Sequence, residues 1–242
     1  MRVQRDVVYA PGLALDLYEP DSLPTALCVF LHGGGWRIGS RTEEPIPGFY
    51  EQVTGFGLAV ASVDYRLSTE AVFPAQSEDV SAALRFLTPS HDRTVIWGVS
   101  AGGHLAALAA LDETHRIAAA VCWYTPSDLD ALSRDIDDAG GAGDRSATSR
   151  ECQLIGAALD ERPDLVAAAS PITHVHPAAP PFLLLHGDAD GAVPHRQSLR
   201  FAEALGDRAT VELVPGAGHM FPELDEAAGR AVVRRSAEFL LR

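Results

Sequence analysis

Apolar residues in this chain come in short runs separated by stretches of helical periodicity. Leu27–Leu31, Leu58–Asp64, Thr94–Trp97, Ile117–Trp123, Phe182–His186 and Thr210–Val214 are runs of four to seven mainly apolar residues. Such runs predict strands buried on both faces. Between them the period changes. Ala75–Leu87 carries Val80, Ala83, Leu84 and Leu87 on one stripe, which predicts a helix. Helices are also predicted over Pro47–Phe56, where proline suits the first turn, over Ala101–Leu111, and over Glu223–Leu241. Near the start, Val7–Tyr18 reads as a hairpin broken at Pro11-Gly12. Strands alternating with helices imply one α/β domain over residues 1–242, with a mostly parallel sheet and helices on both faces. The rhythm fails once, between Thr125 and Ile172. That interval is Asp-rich over Asp128–Asp138 and runs into "DAGGAGDRSATSR", a flexible-looking segment. It is expected to be an insertion over one edge of the sheet.

Composition narrows the classes of function. With 33 Asp and Glu against 19 Arg, the formal charge is −14, which argues against nucleic acid or an anionic membrane as partner. The acidic balance of residues 127–164, ten carboxylates against four arginines, weighs mildly against an anionic substrate. All 19 basic residues are arginine, so Schiff-base chemistry and a lysine-bearing phosphate loop are excluded. Cys28, Cys122 and Cys152 are odd in number and lie far apart, which suits a reducing compartment such as the cytoplasm. No apolar run reaches 18 residues and the start lacks a signal-like apolar segment, so neither a membrane span nor a secretion signal is expected.

Within "VIWGVSAGGHLAALAAL", Gly98-Val99-Ser100-Ala101-Gly102 is a G-x-S-x-G pattern at a predicted strand-to-helix turn. A serine nucleophile on such a turn needs small neighbours two positions either side, and the helix N-terminus favours negative charge there. It also needs a base, and the base an orienting acid. His219, in "VPGAGHMF", lies in a glycine-bearing loop between the last strand and last helix and is the candidate base. Asp188 and Asp190, in "LLLHGDADGAVP", both follow an apolar strand, and the pattern alone does not choose between them. "HGGGW", His32 to Trp36, follows the first buried strand, where glycine amides can approach a developing oxyanion. His32, His104 and His186 read as structural. His174 and His176, in "THVHP", have no accompanying carboxylate or cysteine cluster, so no metal and no cofactor are expected.

With these motifs in view the chain resembles an α/β-hydrolase. It is similar to the esterase branch that holds hormone-sensitive-lipase-like bacterial esterases, small feruloyl/acetyl-esterase-like proteins and kynurenine-formamidase-like amidases. The resemblance rests on "HGGGW", "DYRL" (Asp64–Leu67), "FPAQSEDV" (Phe73–Val80), "GVSAGG" (Gly98–Gly103), "HGDADGAVP" (His186–Pro194) and "PGAGH" (Pro215–His219), in family order along nearly the whole chain. It implies a triad of Ser100, Asp190 and His219, the second aspartate being the acid. It also implies an oxyanion hole from the amides of Gly34, Gly35 and Ala101, with Trp36 shaping the substrate pocket. His32, Asp79 and the "DYRL" residues are implied supports of that loop. Only 31 residues precede His32, Val99 stands where the hormone-sensitive-lipase pattern has aspartate, and the acid motif differs from D-P-L. The smaller, capless feruloyl/acetyl-esterase-like branch therefore fits better, and that resemblance implies that the lid role falls to the insertion Thr125–Ile172. The expected activity is hydrolysis of a small or aryl/acetyl-type carboxylic ester through an acyl-enzyme. The alternatives are an amidase or formamidase with the same triad, and a non-catalytic binding protein on the same fold. The expected partners are a small-molecule ester and a second copy of the chain in a homodimer, with neither nucleic acid nor membrane.

Overall fold

A computed structural model describes all residues, 1–242. Eight strands form one sheet in the order β1-β2-β4-β3-β5-β6-β7-β8. β3 (Ala26–Leu31), β4 (Leu58–Val63), β5 (Thr94–Val99), β6 (Ala120–Trp123) and β7 (Phe182–Gly187) are buried at every residue. Parallel strands covered on both faces have this composition because neither face can be polar. β8 (Ala209–Val214) extends the parallel set at one edge. At the other edge β1 (Arg2–Ala10) and β2 (Leu13–Glu19) form a hairpin, and β2 runs antiparallel to β4. The hairpin starts five residues before the expected Val7, because the polar residues of β1 pair as an exposed edge. Asp6, at φ 57, marks a break in its register.

Side-chain alternation divides each buried strand between two cores. In β3, Leu27, Val29 and Leu31 face one layer while Cys28 and Phe30 face the other. The first layer holds α2 (Ala75–Leu87), α3 (Ala101–Leu111) and α7 (Arg196–Leu205). The second holds α1 (Phe49–Gly55) and α8 (Glu226–Leu240). Ten of the eleven residues of α3 are buried, and its alanines and glycines let the helix lie close against β5 and β6. α8 starts at Glu226, three residues later than expected, because Asp225 caps it by accepting from the Ala228 amide. No helix is long and apolar enough to cross a membrane.

The interval between β6 and β7 is an ordered part of the first layer. It holds α4 (Leu129–Asp138), α5 (Arg150–Ile155) and α6 (Pro163–Ala169). Leu129, Leu154, Ile155, Val166 and Ala169 join the core of α2 and α3. Gln197 of α7 accepts from the Ser127 and Asp128 amides, and the Phe73 amide donates to the Leu154 carbonyl. The glycine-rich stretch that read as flexible is fastened by Asp137, which accepts from the Gly143 amide and from Arg145.

His104 ties three segments together inside this layer. It is fully buried on α3, Nε2 donates to the Ala169 carbonyl at the end of α6, and Nδ1 accepts from Trp36 Nε1 at 3.2 Å. Only the neutral imidazole can donate and accept in this way. Burial, partly offset by the Ala169 hydrogen bond, pushes its pKa down from 6.5 to about 4. A depressed histidine contributes stability that is complete above the unfolded value and drains away as pH falls toward the folded one. His104 is therefore expected to account for about 2 kcal/mol of the stability lost between pH 7 and pH 4.5. Urea unfolding at the two pH values checks this: the loss on acidification should shrink by that amount in His104→Gln.

Candidate active site

β5 runs straight into α3, and the residue at the corner is Ser100, at φ 53 and ψ −121. A side chain in this backbone region is strained and needs enforcement from its surroundings. The enforcement is steric. A Cβ on Gly98 would stand 2.2 Å from the Gly102 carbonyl oxygen, and one on Gly102 would stand 2.1 Å from that of Leu31. The spacing of glycines around the serine is thus a packing requirement: the first turn of α3 presses against the ends of β3 and β5. The Ser100 amide donates to the Trp123 carbonyl, which fixes the corner to β6.

Ser100 Oγ lies 3.0 Å from His219 Nε2, and His219 Nδ1 lies 2.7 Å from Asp190 Oδ2. The chemistry of the partners assigns the protons: Nδ1–H donates to the carboxylate and Nε2 accepts from the hydroxyl. The loop carrying His219 is pinned by Phe221, which is buried against Trp123 and Tyr124 at centroid distances of 5.6 and 4.9 Å. The Gly218 amide donates to Glu223, closing the loop behind the imidazole. Met220 and Phe221 both have positive φ, so this turn is held in shape by tertiary contacts.

Asp190 follows β7 and is 3% exposed. Its Oδ1 accepts from the Ala192 and Val193 amides, each at 2.9 Å. Oδ2 accepts from His219, and His186 Nε2 stands 3.3 Å away while bridging to the Val193 carbonyl. Burial alone would raise this carboxyl. The hydrogen bonds from His186 and His219, the His219 charge and the Val193 amide outweigh it and hold the pKa well below the usual carboxylate range. Asp188 goes elsewhere: it accepts from the Gly216 amide and holds the base of the histidine loop. Of the two aspartates that follow the strand, Asp190 is the one that meets His219.

Gly33, Gly34 and Gly35 border the same cavity as Ser100. His32 Nδ1 reaches the Gly33 carbonyl at 2.7 Å, its ring stacks on Tyr65 at 4.4 Å, and Tyr65 donates to the His32 carbonyl. Burial lowers the His32 pKa, against the opposing pull of the Gly33 hydrogen bond. In a planar trans peptide the N–H points opposite to the C=O, so holding the Gly33 carbonyl turns the Gly34 N–H to the other side. The Gly34 and Gly35 amides donate to no group in the chain. Ala101 is the first residue of α3, where an amide has no intrahelical acceptor. Three donors near the serine are thus unclaimed.

Trp36 differs from expectation. It is 2% exposed, belongs to the first-layer core and does not border the cavity. Its positive φ turns the indole down onto His104, so it supports the glycine turn from beneath. The cavity, of about 490 Å3, is bordered instead by Tyr124, Arg37, Arg150, Ile38 and Met220. The sequence pattern did not single these out. Tyr124 had a signal, since residues just beyond the carboxyl ends of parallel strands border the crevice in open α/β sheets. His174 and His176 each spend Nε2 on a backbone carbonyl.

The BD-FAE family profile matches residues 15–205. Two esterases of Mycobacterium tuberculosis are similar along the chain. LipQ is 30% identical over 97% of this chain and 61% of its own, and LipC is 30% identical over 98% and 64%. The chain therefore spans less than two thirds of the length of these relatives. Among solved structures, a truncated carbohydrate esterase from gut microbiota has a TM-score of 0.86 at 26% identity, covering 100% of this chain and 97% of that one. The propionate-bound esterase Est2 of Thermogutta terrifontis has a TM-score of 0.74 at 25% identity, covering 99% and 93%.

The glycine collisions yield a prediction. Gly102→Ala should destabilise the protein by about 2–3 kcal/mol, because the clashing partner is backbone and has little room to yield. Gly191→Ala, where a Cβ meets nothing within 4 Å, should stay within about 0.5 kcal/mol of the parent. Denaturant unfolding of the two variants measures the contrast.

Proposed function

The chain belongs to the BD-FAE family, and from that premise we propose that it is a carboxylic ester hydrolase acting through an acyl-enzyme on Ser100. The observation that carries the reading is the unbroken hydrogen-bond relay from Asp190 through His219 to Ser100, ending beside unclaimed amides. His219 takes the serine proton as Oγ attacks the ester carbonyl. Asp190 holds the imidazole by Nδ1 and steadies its charge without taking the proton. The amides of Gly34, Gly35 and Ala101 receive the oxyanion; removing a single such donor has cost roughly 3–4 kcal/mol in a measured case. The alcohol departs with the proton from His219. A water activated by the same imidazole then releases the acid and restores the serine hydroxyl. A cavity of about 490 Å3 suits a small ester, in keeping with the propionate held by the Thermogutta esterase.

Turnover of 4-nitrophenyl acetate by Ser100→Ala should fall by roughly 10^4-fold or more. Ser100→Ala should also escape labelling by a fluorophosphonate probe that labels the parent. Asp190→Asn should keep the fold and drop kcat by roughly 10^4-fold, because the amide leaves the imidazole in the wrong tautomer. Equal turnover in parent and Ser100→Ala overturns the reading. Failure of the parent to label favours a binding protein, and faster turnover of formanilide than of acetyl esters favours an amidase.

A further inference from the structure

Two arginines border the cavity without a partner in the chain. Eleven of the nineteen arginines form ion pairs with carboxylates. Arg93 and Arg208 donate to backbone carbonyls. Arg37 and Arg150 do neither, and both border the cavity that holds Ser100 and His219. The other unpaired arginines, Arg85, Arg116, Arg234 and Arg242, do not border it.

The pair is anchored to one element, the glycine turn. Arg37 lies on it: its amide donates to the Gly34 carbonyl at 3.1 Å. Arg150 comes from the insertion and lays its stem across the turn, so that a Cβ on Gly35 would stand 2.8 Å from Arg150 Cδ and 3.4 Å from Nε. The nearby acids do not satisfy them. Glu44 is engaged by the Gly48 and Tyr50 amides, and Glu43 makes no ion pair although it borders the same cavity. The acidic balance of the insertion, which argued against an anionic substrate, does not govern the cleft. Of its ten carboxylates, Asp128, Asp130, Asp135, Asp137, Asp138 and Asp164 are paired with arginines, and none of the ten borders the cavity.

Resting on the esterase reading, we propose that Arg37 and Arg150 select an ester that carries a free carboxylate several bonds from the scissile carbonyl. A guanidinium presents donors in a fork that matches a carboxylate, and an uncommitted fork beside a reacting centre is suited to that anion. The exposed Ile38 and Met220 at the same mouth accommodate the apolar link between the two ends of such a substrate.

The test compares matched charged and neutral esters in the full chain. For a carboxylate on the acyl half, the pair is 4-nitrophenyl hydrogen glutarate and its methyl ester. For one on the alcohol half, it is 4-acetoxybenzoate and methyl 4-acetoxybenzoate. The readout is the ratio of kcat/KM, charged over neutral, in the parent, Arg37→Gln, Arg150→Gln, the double variant and Arg150→Lys. In at least one pair the ratio should fall roughly tenfold to hundredfold in the double variant. Arg150→Lys should retain part of the ratio, and added salt should lower it in the parent. The pair that responds tells which half of the ester bears the carboxylate. A merely structural role for the arginines would lower both members together and leave the ratio alone. A ratio that neither the double variant nor salt changes in either pair overturns the inference while leaving the esterase reading intact. No turnover of any of the four esters, with no fluorophosphonate labelling of the parent, overturns the esterase reading and this inference with it.

Discussion

The constraint on which the rest depends is the lack of room where β5 turns into α3. The helix can start only if residues 98 and 102 carry no side chain, since a Cβ at either would sit within 2.2 Å of a backbone oxygen. That closeness forces Ser100 into positive φ, and the strained corner lifts its hydroxyl clear of the sheet. It also brings the first amides of α3 beside the glycine turn that follows β3, because Gly102 abuts the Leu31 and His32 carbonyls. One steric fact therefore places a hydroxyl and two sets of unclaimed N–H donors together. Fixing so much glycine backbone is entropically costly, and the His32 ring, stacked on Tyr65 and held to the Gly33 carbonyl, keeps the turn in place.

Asp190 and His219 reach this corner by a different physical route. Asp190 is a desolvated carboxylate, which is tolerable only when donors surround it. Two amides and His219 supply them, with His186 alongside. The same donors that make the burial tolerable orient the carboxylate, so Oδ2 has a fixed direction in which to receive His219. The imidazole is then set from the other side by Tyr124, whose ring meets it edge-on at 4.9 Å, and by Phe221 anchoring the loop. Hydrogen bonding determines the direction of the relay, and aromatic packing determines its reach.

How much of this was legible in the sequence follows from the range of each interaction. The buried strands were legible because a strand covered on both faces admits only apolar residues, and β3, β4, β5 and β7 lie where the apolar runs put them. The serine corner was legible because local sterics require its glycines. The choice between Asp188 and Asp190 was not open to pattern physics. It turns on which carboxylate the Gly216 amide claims, a contact 28 residues away, and a family resemblance had to supply it. The insertion misled because α4, α5 and α6 have only 10, 6 and 7 residues. Helices that short are stable only through tertiary packing, which periodicity does not report. Trp36 misled for a related reason: its backbone turns the indole inward, and a buried histidine 68 residues away is what receives it.

Around a core so determined, the variable parts of the site are separable from the chemistry. Arg41 fastens the segment after the glycine turn by pairing with Asp6, Asp16 and Asp64, which lie on the hairpin and beyond β4. The insertion is fastened through α7, through Phe73 just before α2, and through His104 of α3. None of these contacts is made by the side chain of Asp190, His219 or Ser100. Side chains at positions 37, 38 and 150 can therefore change the lining of the cleft while the relay and the unclaimed amides stay where backbone collisions and buried hydrogen bonds put them. Residues well apart from one another in the relay cannot be exchanged so freely, since each is held by the contacts that place the next. The two fastened loops accordingly supply Arg37, Ile38 and Arg150 to the cleft, and the relay stands at the ends of the strands.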